Sequence, residues 1–273
     1  MTMTTLTDDM IRAEAPSVFA TARHPKMGDR YAFISTAQVL DALRAEGFQP
    51  VRAKQAGSRE SARAGFTRHV ITFRQTDAPL IAGEHIPEVV LMNAHDGSSA
   101  YRLMVGCFRV VCSNGLIVAE KSLAAIRVAH IGTRTIAEVV AGTHKLVAAL
   151  PTVLGQIENW RSTVLPMEQR LAYARAALAI RYPDRPAPIE PQQLLGVRRL
   201  EDSSADLWTT FNRVQEHLVR GGLAGQLPTG RRTTTRPIAA ISTSMNLNQA
   251  LWTLTAETAR HGYVPAELVG LER

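Results

Sequence analysis

The residues of this chain best suited to chemistry fall into three groups. The first is Asn93, His95 and Asp96, followed by Arg102, Arg109 and Asn114, within PEVVLMNAHDGSSAYRLMVGCFRVVCSNGLIV (87–118). A histidine beside an aspartate can form half of a metal site or act as a general base. No further His/Asp cluster stands at ligand spacing, and Asp96-Gly97 is accounted for by a tight turn. A turn or strand-end hydrogen-bonding role is therefore the plain reading of His95, with nucleic-acid contact and catalysis as its rivals. Arg102 and Arg109 are seven residues apart, which puts them on opposite faces of a regular strand unless a bulge intervenes. One is expected to anchor a buried polar network and the other to face a ligand.

The second group is Lys54, Arg59, Arg63 and Arg68, set among Gly, Ser and Ala in KQAGSRESARAGFTR (54–68). The third is Arg231, Arg232 and Arg236, flanking the threonines at 233–235 in GGLAGQLPTGRRTTTRP (221–237). Neither stretch has apolar periodicity. Both read as basic loops, the first also as a hairpin tip. Contact with a phosphate backbone needs charge and reach more than fixed geometry, and threonine hydroxyls and backbone N–H groups can donate to phosphates as well. A merely solvated loop is the bland alternative for each.

The familiar catalytic signatures are absent. GRRTT lacks the GxxxxGK[ST] order of a phosphate-binding loop, and no GxSxG elbow, HExxH, CxxC pair or dinucleotide fingerprint occurs. Cys107 and Cys112, the only cysteines, point to opposite faces of one strand and read as small buried apolar residues. No catalytic residue, metal or cofactor is expected. Trp160, Trp208 and Trp252 read as core or subunit interface.

The charge balance is 31 basic against 24 acidic residues, a net +7, with a pI near 9.9. Four of the basic residues are lysines and 27 are arginines. GC-rich coding alone can turn Lys into Arg, but the positive net charge still favours a polyanionic partner. The chain has 273 residues, 45% of them hydrophobic and 20% charged, as expected for a globular protein with a substantial core. No uninterrupted run of 18 apolar residues occurs, so no membrane span is expected. MTMTTLTDDM lacks the features of a secretory signal, so a cytoplasmic protein is expected.

Several elements must position these groups. Residues 1–30 read as a flexible N-terminal segment. Tyr31–Gly47 reads as a helix capped by Ser35 or Thr36, with Val39, Leu40 and Leu43 as its apolar stripe. Strands are expected at 48–53, 69–75, 88–94 and 100–112, with a further short one from 116. The last long pair is joined by a hairpin turn at 95–98, and a second turn falls at 113–115. From 135 the pattern is helical: 135–164 with a kink at Pro151, 167–181, 192–200, 204–220 and 246–261, with a Pro-rich linker at 182–191. The fold class is α+β, a central antiparallel sheet with a long β-hairpin over 31–134 and a helical half over 135–273.

Residues 87–118, with RYAFISTAQVLDAL, GFQPVRAKQ, TRHVITFR, NRVQEHLVRGG, GRRTTTRPI and NQALW in the same order, resemble the domain of unknown function (DUF) 932 family of phage- and plasmid-like proteins. The resemblance covers most of the chain and implies a mobile-element context, but no established activity. The helix, antiparallel sheet and long-helix order is also similar to the core of ring-forming single-strand annealing proteins, with no motif matched residue by residue.

These readings converge on a non-enzymatic DNA-binding protein of a mobile element. DNA, single-stranded in particular, and further copies of the chain are the expected partners, with annealing or a replication and recombination accessory role as its form. A protein-binding regulator or counter-defence protein without DNA affinity stays open. So does an enzyme of unknown reaction, built around Asn93, His95, Arg102, Arg109 and Asn114.

Overall fold

A computed structural model describes residues 5–76, 85–109, 115–118, 125–128 and 136–265. It is α+β and divides into two compact units, 1–151 and 152–273. The division falls inside a helix, α3 (Ile136–Ser162), and not at the 134/135 boundary expected from pattern.

The first unit begins with a helix that sequence reading missed. In α1 (Asp8–Glu14) the Thr7 side chain caps the start by accepting from Met10 N–H, and Asp8 and Asp9 complement the helix dipole. Ile11 is fully buried, and a 3-10 turn over Pro16–Phe19 buries Ser17 and Val18. Leu6 N–H donates to Pro50 O, which ties this segment to the sheet. The expectation of a flexible stretch through residue 30 is corrected accordingly. A seven-residue helix makes only two turns, too few to show a period.

The next helix, α2 (Thr36–Ala45), is capped by Ser35, buries Val39, Leu40 and Leu43, and ends at Gly47, whose φ of +83° a side chain would disfavour. It starts five residues later than expected.

Five strands then follow the order β1 (Phe48–Gln55), β2 (His69–Gln75), β3 (His85–Asn93), β4 (Tyr101–Arg109) and β5 (Gly115–Val118), every pair antiparallel. A sixth, β6 (Ala125–Val128), pairs with the other half of β4 and was not anticipated. Residues 110–114, with Cys112 and the Ser113-Asn114 part of the expected turn, lie outside the described residues, and the Arg109 side chain is likewise not described.

Alternation sorts the sheet into two faces. His69, Ile71, Phe73, Leu91, Asn93, Tyr101 and Leu103 lie on one face and are buried. Each fully buried large side chain there contributes roughly 1.5–3 kcal/mol of hydrophobic stabilisation. The other face carries Arg52, Arg74 and, between them, Glu88, which is 2% exposed. Arg52 donates to Glu88 Oε2, and Arg74 donates through Nε to Oε1 at 3.0 Å. Burial pushes the Glu88 carboxyl above its ordinary range, against the pull of the two guanidiniums.

The second unit is built from the end of α3, α4 (Met167–Arg181), α5 (Leu207–Arg220) and α6 (Ile241–His261). Asp206 caps α5, accepting from Thr209 N–H at 2.7 Å and from Thr209 Oγ1 at 2.8 Å. Trp160 and Trp252 meet at 4.3 Å between ring centroids, and Trp208 stacks on Phe211 at 5.1 Å, so the tryptophans are core.

Two expectations change here. The helix expected at 192–200 is a 3-10 turn over Pro191–Leu195, closed by Gly196, followed by another over Leu200–Asp202. The expected unpatterned loop at 221–237 contains a hairpin, β7 (Ala224–Gln226) and β8 (Arg232–Thr234).

By length and composition alone, α3 could cross a membrane, although polar residues interrupt its apolar run. It buries Val139 and Leu146 in the first unit and Val153, Ile157 and Trp160 in the second.

Candidate functional site

Asn93 and His95 have no exposed surface. They belong to a buried polar network with Ser17, Thr36 and His69, also fully buried. Thr36 Oγ1 is its hub, 2.9 Å from His69 Nε2, 3.3 Å from His95 Nε2 and 3.0 Å from Asn93 Nδ2. His69 Nδ1 lies 3.0 Å from Thr67 O and 2.9 Å from Ser17 Oγ.

The partners fix the protons when both rings are neutral. Thr67 O can only accept, so His69 carries its hydrogen on Nδ1. Its Nε2 then accepts from the Thr36 hydroxyl. The two remaining lone pairs of that oxygen take the Asn93 amide and the His95 Nε2–H. Every Thr36 valence is thereby used, which is what a buried polar group needs in order to be tolerated.

The network holds two loops together. His95 N–H donates to Phe66 O, and the His95 carbonyl accepts from His24 N–H. The Gln55 amide accepts from Ser17 N–H through Oε1 and donates to Ala64 O through Nε2. Thr67 Oγ1 donates to Ala56 O. Residues 56–68, with a 3-10 turn over Ser61–Phe66, thus lie fixed against the 95–98 turn. Burial, with Asp96 nearby, also holds the Tyr31 phenol protonated well above its ordinary range, and it donates to Ala94 O at 2.7 Å.

An open cleft of about 420 Å3 lies between the loop and the turn, lined by Arg59, Arg63, Arg68, Ser58, Asp96 and Ser98 among others. The structure brings the three arginines of the first basic group together there, without Lys54, and gives them different tasks. Arg63 Nε donates to Asp96 Oδ2 at 2.8 Å, and Arg68 donates to Ser98 O at 2.5 Å. Both side chains clamp loop to turn. Burial alone would raise the Asp96 carboxyl, but hydrogen bonds from Ser98 and Arg63 outweigh it and hold the group below the ordinary range. Arg59 is exposed with no ion pair among the described residues, and Lys54 is exposed at the end of β1. Arg102 is half-buried on β4, beside Met92 in register, on the sheet face away from His69 and Asn93. It is not part of the buried network.

The second basic group is disposed differently. Arg231, Arg232 and Arg236 are exposed, with no carboxylate partner among the described residues. No acidic residue occurs between Glu216 and Glu257 in the sequence. The hairpin that bears them is ordered by close backbone approach. Gly221 has φ +64°, and a Cβ there would lie 2.6 Å from Thr235 O. Gly222 N–H donates to Thr235 O and Thr235 N–H to Leu223 O. This hairpin therefore presents exposed guanidiniums, whereas two of the three arginines on the first loop are engaged within the protein.

Sequence reasoning missed Ser17, Thr36, His69 and Gln55 as members of the network. They come from four separate elements, and no local spacing signals their meeting.

Residues 23–252 match the family model described as Domain of unknown function (DUF932). The chain is 38% identical over 253 residues to the UPF0380 protein YfjQ of Escherichia coli (strain K12), covering 93% of this chain and 91% of that protein. It is 37% identical over 249 residues to the UPF0380 protein YafZ of the same organism, covering 91% and 90%. No solved structure matches the chain.

Proposed function

The chain belongs to the DUF932 family, and for this member we propose a non-enzymatic nucleic-acid-binding role carried mainly by the 221–237 hairpin. The observation behind the reading is the set of three exposed arginines, Arg231, Arg232 and Arg236, in a stretch without a carboxylate from residue 217 to 256. Arg59 and Lys54 add exposed charge on the first unit. Arg63 and Arg68 act as clamps that hold their loop in place. The buried network of Asn93 and His95 positions that loop and has no surface at which a substrate could react.

DNA, single-stranded in particular, is the proposed ligand in a mobile-element setting, with single-strand annealing or a recombination accessory role as the form of the activity. Cytoplasmic localisation and assembly of several copies belong to the same proposal. A labelled 30-nucleotide single strand titrated by fluorescence anisotropy tests it. Saturable binding at 50 mM salt, weakened at least tenfold at 200 mM, is the expected result for several phosphate contacts. No binding at 50 mM, or affinity indifferent to salt, would overturn the reading.

A further inference from the structure

The hairpin is one wall of an open cavity of about 430 Å3 in the second unit. The opposite wall is the Pro-rich linker. The two are joined where Gln226 N–H donates to Pro188 O at 2.7 Å and Gln193 Nε2 donates to Ala224 O at 2.8 Å. They approach so closely that a Cβ on Gly225 would sit 2.0 Å from Pro188 O. Pro186, Pro188, Ile189, Leu227 and Pro228 give the cavity apolar surface.

Its polar groups are unequal. Gln193 is used on both sides, since its Oε1 accepts from Glu190 N–H. Gln226 Nε2 donates to Gly230 O, which leaves its carbonyl oxygen without a partner among the described residues. Glu190 is exposed at the rim and opposes an anion there.

The register places the cavity directly beside the exposed cations. Gln226 is the cross-strand partner of Arg232, and Leu227 N–H donates to Arg231 O at 2.9 Å. An apolar recess with one spare amide acceptor thus stands beside the strand that carries Arg232, with Arg231 immediately before that strand.

We infer that this cavity receives one unstacked base of a single strand, while Arg231 and Arg232 hold the neighbouring phosphates. The inference rests on the nucleic-acid reading above and deepens it from polyanion binding to preference for single strands. Planar bases bury apolar faces in such recesses, and the Gln226 carbonyl offers an acceptor to an exocyclic amine. A duplex keeps its bases stacked and offers the site only phosphates, because extruding a paired base costs a few kcal/mol. Glu190 on the rim favours entry of the neutral base, with the phosphate on the arginine side.

The test compares a single-stranded oligonucleotide carrying 2-aminopurine with the matching duplex, using anisotropy for affinity and the base analogue's emission for unstacking. Leu227→Asn, an uncharged change at a partly exposed position, is set beside Arg231→Gln/Arg232→Gln. In wild type, single-strand binding brightens the analogue and is tighter than duplex binding. Leu227→Asn is expected to weaken single-strand binding about fivefold and abolish the brightening, with duplex affinity held within about twofold. The double arginine variant weakens both ligands. A Leu227→Asn protein with unchanged single-strand affinity and emission would overturn the base pocket while leaving the nucleic-acid reading intact. Arginine variants that alter neither ligand would overturn that reading itself. Gln226→Ala, exposed on β7, gives a second check that does not depend on Leu227, with a smaller loss confined to the single strand.

Discussion

Thr36→Val removes the hub of the buried network while nearly preserving its volume. The lost hydroxyl serves His69 at 2.9 Å, Asn93 at 3.0 Å and His95 at 3.3 Å. Each of the three buried partners is left without that bond, and an unsatisfied buried group costs about 1–3 kcal/mol. Taking the low end for each, the first unit should lose about 3 kcal/mol. Thr36→Ser keeps the hydroxyl and loses one methyl, a cost of about 1 kcal/mol. The variant nearer to threonine in shape should thus be the more damaging. Urea unfolding monitored by hydrogen exchange measures this, with amides of residues 56–68 and 95–98 losing protection first because the network holds those loops together. If Val is tolerated as well as Ser, or if the loss of protection spares those loops, the wiring described here is incorrect.

Glu88→Ala removes the carboxylate that Arg52 and Arg74 share on the buried face and should destabilise the sheet by about 3 kcal/mol, read from the shift in denaturant midpoint. Gly221→Ala forces a side chain into a backbone conformation reserved for glycine and against Thr235 O, so it should cost about 2 kcal/mol and reduce exchange protection of the 221–237 hairpin. Asp96 has a folded-state pKa below its unfolded value, so its contribution is complete above about pH 4 and is lost as pH falls through the depressed folded value. Acid titration of loop protection should show this loss in wild type and lack it in Asp96→Asn.

The sheet was legible because its strands alternate and the turn between β3 and β4 uses Asp96-Gly97. β2 was placed to the residue, and the long helices were close to their observed spans. The small elements were not legible. α1 and the β7–β8 hairpin owe their form to tertiary contacts, Ile11 in the core and Gly225 against Pro188, which leave no periodic trace. For the candidate site, charge pointed to both basic stretches but could not tell them apart. That distinction depends on Asp96 and Ser98, which lie 33 and 30 residues beyond the Arg63 and Arg68 they take up. His95 lies at the start of the 95–98 turn and hydrogen-bonds to Thr36. Its partners Thr36 and His69 became visible only once α2 and β2 had packed together.

The most direct measurement is the salt dependence of single-strand affinity in wild type and in Arg231→Gln/Arg232→Gln/Arg236→Gln. If the three guanidiniums each engage a phosphate, the slope of log affinity against log salt should fall in magnitude by about 2, at roughly 0.7 per lost contact. Arg63→Gln/Arg68→Gln should leave the slope nearly unchanged while loosening the first loop. A triple hairpin variant with the wild-type slope would contradict the account.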